Sequence, residues 1–70
     1  MPLTNAQIGN IIGSELYNLG LTGVSTIEAI TMIVGTWQKE NMPTATEDEI
    51  RELCRRVMQQ NARLLNPGGE

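Results

Sequence analysis

The sequence predicts an all-α protein, a three-helix bundle assembled as a homo-oligomer. Three observations carry the helical part of that expectation. Three stretches repeat apolar residues at helical spacing. A Ser/Thr-x-x-Glu/Gln start signal opens each of them. The breaks between and after them fall on Gly20, on Asn41-Met42-Pro43 and on Asn66-Pro67-Gly68-Gly69. The expected organisation is one domain over 1–65, with helices near 4–19, 25–40 and 46–65, and a mobile tail over 66–70.

The first helix starts at Thr4, whose capping box closes on Gln7, with Leu3 and Ile8 placed as a hydrophobic staple. Ile8, Ile12, Leu16 and Leu19 share one face, with Ile11 at its edge. Gly20 is the natural left-handed stop, after which Leu21 folds back on Leu16. Beside the apolar face runs a strip of Ala6, Gly9 and Gly13. Each interior glycine costs ~1 kcal/mol relative to alanine. Close approach of another helix would offset that cost; the simpler and preferred reading is packing within the chain, or tolerance. Glu15 falls at the edge of the apolar stripe. Its two readings are an ion pair with an arginine of the third helix or of a second subunit, and a rim residue reaching solvent. The second is preferred.

The middle helix, STIEAITMIVGTWQKE, is expected to be central, covered by the other two. Ser25 and Glu28 form its capping box. Ile27, Ile30, Ile33, Val34 and Trp37 form its inward face, with Glu28, Thr31, Gly35, Gln38 and Lys39 opposite. Met32 projects on that thinly polar side. Asn41 serves as the left-handed stop and Pro43 bars continuation.

The third helix is capped by Thr46 with Glu49, and Glu47, Asp48 and Glu49 sit where the helix dipole favours acids. Ile50, Leu53, Cys54, Val57, Met58, Leu64 and Leu65 form one face; Arg51, Glu52, Arg55, Arg56 and Arg63 the other. Glu47–Arg51 and Glu52–Arg56 are favourable i,i+4 pairs.

Composition bounds function more than it names it. Seventy residues, net charge −3, two aromatic residues, one cysteine and no histidine leave neither a disulfide nor a His-ligated zinc site to hold a small core together. A chain this short buries only about 60% of its unfolded surface. Residues 1–36 hold just two charges, Glu15 and Glu28, so that half is expected to be covered by another molecule. Leu3, Ile11, Tyr17, Leu21, Val24, Met32 and Met42 exceed what one three-helix core holds. A positively charged leader and an ~18-residue apolar run are both lacking, so no membrane partner and a cytoplasmic location are expected.

No catalytic residue, cofactor or metal ligand is expected. Without histidine the common acid–base partner is missing, and Cys54 lies on an apolar face where a thiol is inert. The expected function is a non-enzymatic protein–protein interaction module that self-associates and binds or regulates a larger protein. Its candidate interface is Gly9, Gly13, Glu15, Tyr17, Met32 and Gly35. The alternative is a helical DNA-binding or regulatory factor presenting Arg51, Arg55, Arg56 and Arg63. Net negative charge and the acids interleaved among these arginines count against nucleic acid as a partner. The segment LGLTGVSTIEAI also resembles acyl and peptidyl carrier proteins, whose attachment serine opens a long helix after a glycine-containing turn. That resemblance would make Ser25 the attachment serine, although Val24 stands where acyl carriers have an acid.

Overall fold

A computed structural model of the chain describes residues 2–21 and 23–65, with Leu65 described by its backbone alone. Among these residues the architecture is all-helical, with α1 over Asn5–Asn18, α2 over Val24–Lys39, α3 over Glu47–Gln60 and a single-turn α4 over Ala62–Leu65. The expected tail over 66–70 and the side chain of Leu65 lie outside the described residues.

Local chemistry sets most helix ends. At α1, the Gln7 amide donates to Thr4 Oγ1 at 3.1 Å and the Thr4 amide to Gln7 Oε1 at 2.8 Å. Gly20 stops this helix at φ 85°. The Leu21 amide then donates to the Leu16 carbonyl and the Gly20 amide to that of Tyr17, both at 3.0 Å. This closure turns Leu21 back into the core. Asn41 ends α2 in the same way, at φ 55°. Its amide donates to Gln38 and that of Met42 to Trp37. Thr46 and Glu49 cap α3 reciprocally.

Two expected boundaries are corrected. Ser25 does not cap α2. The helix starts at Val24 with Gly23 as its N-cap, at φ 70° and ψ −140°, a conformation that only glycine adopts cheaply. The first helical hydrogen bonds therefore run from the Thr26 and Ile27 amides to the Gly23 carbonyl. The third helix also stops short of Leu65, breaking at Asn61 (φ −122°, ψ 52°). Asn61 falls on the apolar face, and its side-chain amide turns back to the Val57 carbonyl at 2.9 Å. Such a local bond competes with continuation of the helix. The chain resumes as α4, which buries Leu64.

The core lies along α3, which buries Ile50, Leu53, Cys54, Val57 and Met58 and packs against both α1 and α2. From α1 come Ile8, Ile11, Ile12 and Leu16. Only Ala29 and Ile33 of α2 are buried. The middle helix is therefore not the central one: α3 is. Moreover, α2 is turned from its expected face. At about 100° per residue, the stripe Ile27, Ile30, Ile33, Val34 and Trp37 centres roughly 80° from the direction of Ala29 and Ile33. The small Ala29 lets the α2 backbone sit close. Ile30, Val34 and Trp37 are left half-buried and Ile27 exposed.

Candidate functional site

Glu15 is the buried charged residue of the described chain, only 7% exposed. It lies at the centre of the α1 face formed by Ile8, Ile11, Ile12 and Leu16, not at its rim. The ion-pair reading replaces the solvent-exposed one. Glu15 Oε1 accepts from an Arg51 terminal nitrogen at 3.0 Å and Oε2 from Arg55 Nε at 3.1 Å. Burial pushes this carboxyl up, but the hydrogen bonds and charges of Arg51 and Arg55 outweigh it and hold the group below its ordinary value. The pair ties α1 to α3.

Further ion pairs extend this clamp. Arg51 also donates to Glu47 through Nε and a terminal nitrogen at 3.1 and 2.8 Å. The expected Glu52–Arg56 pair does not form. Glu52 instead accepts from Arg55 at 2.9 Å. Arg56 reaches across to both oxygens of Glu40, at 2.8 and 3.0 Å, and so ties the end of α2 to α3. Three of the four candidate surface arginines thus have carboxylate partners. Arg63 sits apart, lining a 330 Å³ surface hollow with Ile27, Glu28, Thr31 and Met32.

The candidate interface residues do not form one cluster. Gly9 and Gly13 sit on α1, and a Cβ added to either would meet nothing within 4 Å. Packing within the chain is therefore not what these glycines accommodate. Tyr17, on the same side of α1, is 78% exposed. Gly35 is exposed with open space around it, on the side of α2 away from the core. Met32 is half-buried against the core rather than freely projecting. Of the apolar residues expected to exceed the core, Ile11 and Leu21 are buried. Leu3, Met32 and Met42 pack partly against the core, which leaves Tyr17 and Val24 exposed.

Sequence reasoning missed the outward seam of α2. Val24 is 74% and Ile27 64% exposed, with Ile30 and Val34 half-buried beside them. A visible signal was Ala29, which with Ile33 and Thr36 has the helical spacing of a second, inward-facing stripe.

Cys54 is buried on α3, and burial, together with the nearby Glu15 charge, pushes its thiol up to about 11. At neutral pH it is almost wholly protonated and a poor nucleophile. Ser25 is half-buried in the first turn of α2. Among the described residues, no group of three His, Cys, Asp or Glu side chains could hold a metal ion, and no helix is long and apolar enough to cross a membrane. No known protein family, curated protein or solved structure matches this chain.

Proposed function

We propose that this chain is a non-catalytic protein–protein interaction module that works as a homo-oligomer and docks on a larger protein as an adaptor, inhibitor or assembly factor. The observation that carries the reading is the apolar outer side of α2, where Val24 and Ile27 stand 74% and 64% exposed. Burying an aliphatic side chain of this size contributes about 1.5–3 kcal/mol, and apolar surface gathered on one helix face marks an interaction site more often than scattered residues do. The small core adds to the case. A chain of this length without disulfide or metal gains stability from association.

The DNA-binding alternative requires arginines open to phosphate. Arg51, Arg55 and Arg56 are each held by at least one carboxylate, which weighs against it. A carrier role would need Ser25 presented to a modifying enzyme, and its half-buried position offers little support.

Light scattering across a dilution series tests the proposal. The expected result is a mass of at least two chains at micromolar concentration, falling on dilution. A single-chain mass at every concentration would overturn the self-association.

A further inference from the structure

We propose that the outer face of α2 packs against the same face of a second copy of this chain, antiparallel, with Glu28 of each protomer beside Lys39 of the other. This rests on the interaction reading above and names its partner and geometry.

The face has the pattern of a two-helix seam. Val24, Ile27, Thr31, Val34 and Gln38 follow one another at steps of 3, 4, 3 and 4 residues. That spacing keeps a stripe facing a partner helix along its whole length. The chain's own packing uses it only in part: α2 meets the core mainly through Ala29 and Ile33 on its other side, Val34 packs partly against the core, and Arg63 lines a hollow with Ile27, Glu28 and Thr31. Thr31 directs its hydroxyl back to the Ile27 carbonyl at 3.0 Å, so its methyl is what it offers a neighbour. One step round from Thr31, Gly35 has no side chain and nothing within 4 Å of where a Cβ would stand. A second backbone can approach there.

Charge says which partner fits. The clamp absorbs Glu40, the C-cap of α2, through Arg56. Two charges on this helix remain, Glu28 and Lys39, both exposed and neither in an ion pair among the described residues. They lie on one flank of the seam, about 20° apart in projection, with opposite signs at opposite ends. A surface of that kind is complementary to itself under an antiparallel two-fold, because the two-fold keeps the flank and exchanges the ends. A parallel two-fold would instead put the two copies' charged flanks on opposite sides of the seam, where Glu28 and Lys39 of one copy would not meet those of the other.

The layers follow from the seam. Thr31 stacks on the partner's Val34 and Ile27 on the partner's Gln38, each twice. In that register Glu28 and the partner's Lys39 are offset by about 3 Å along the axis, within reach of a lysine side chain. Val24 then faces the partner's Asn41, at the rim of a 190 Å³ hollow lined by Trp37, Gln38, Asn41, Met42 and Pro43. The most exposed large apolar residue of α2 thus meets a hollow at the other end of the same face.

Charge reversal tests the register. Glu28→Lys and Lys39→Glu should each raise the dimer dissociation constant about tenfold or more, because two attractive pairs become two repulsive ones. An equimolar mixture of the two variants should recover a mass of two chains. The double variant Glu28→Lys plus Lys39→Glu should associate like the wild type. Both residues are exposed, and recovery on mixing also shows that each single variant is folded. A dimeric wild type whose single variants keep its dissociation constant overturns this register and leaves the interaction reading standing. So does a mixture that stays monomeric. A wild type that is monomeric throughout overturns both this register and the self-association.

Discussion

At the residue scale, Glu15 shows how a side chain that looks misplaced in the sequence becomes a joint. Its carboxylate sits among isoleucines yet keeps its charge, because two arginines from α3 reach it from the more exposed side. The effect on stability has a definite sign. The carboxyl is below its ordinary value of 4.5 in the folded chain. Its contribution is therefore fully present above pH 4.5 and is lost as pH falls through the lower folded value. Glu15→Gln should cost about 1–2 kcal/mol at pH 7, in line with losing hydrogen bonds to a charged group. The cost should shrink as pH falls below 4.5. Urea denaturation of both proteins at a series of pH values measures this, and a gap that does not change with pH would refute the ionised clamp. The helical periodicity placed residue 15 only at the edge of the apolar stripe, between Ile8 and Ile11. What it did not contain was the approach of Arg51 and Arg55, which lie 36 and 40 residues away in the chain.

At the element scale, what was legible divides along the range of the forces involved. Capping boxes at Thr4 and Thr46 and the left-handed stops at Gly20 and Asn41 involve residues within five positions of each other, and all four form. The facing of α2 depends instead on how closely another helix can approach. Its apolar residues cover more than half of its circumference, so periodicity alone did not separate the stripe that docks from the one that does not. Small Ala29 decided it. Gly23 replaced Ser25 as the cap for a related reason: the turn from Gly20 must bring the chain back, and a positive φ at residue 23 does so. The glycines of α1 allow a direct measurement. Since a Cβ at Gly9 or Gly13 meets nothing, Gly9→Ala plus Gly13→Ala should raise the stability of the fold by about 1–2 kcal/mol, the summed helix-propensity difference. Thermal unfolding with unchanged mass in solution is the expected result. A loss of association in this double variant would move the interface from α2 to α1.

At the scale of the whole molecule, charge and apolar surface are unevenly placed. The charges of the second half are largely spent on internal pairs, Arg51 and Arg55 on α1 and Arg56 on α2. The charge-poor first half keeps apolar side chains outside, at Tyr17, Val24 and Ile27. If α2 pairs as proposed, folding and association are coupled, because whatever binds the folded chain and not the unfolded one adds to its stability. For a dimer that unfolds to two free chains, each tenfold rise in concentration adds about 1.4 kcal/mol per dimer. Half of that falls to each chain. In a domain of this size it corresponds to a rise in Tm of about 3–6 °C per tenfold. Circular dichroism over a hundredfold concentration range should show that slope for the wild type. Glu28→Lys, unable to pair with itself, should lose the slope at the lower concentrations while keeping the same helical signal when cold. A wild-type Tm independent of concentration would mean that the fold is complete in one chain and that α2 meets something other than its own copy.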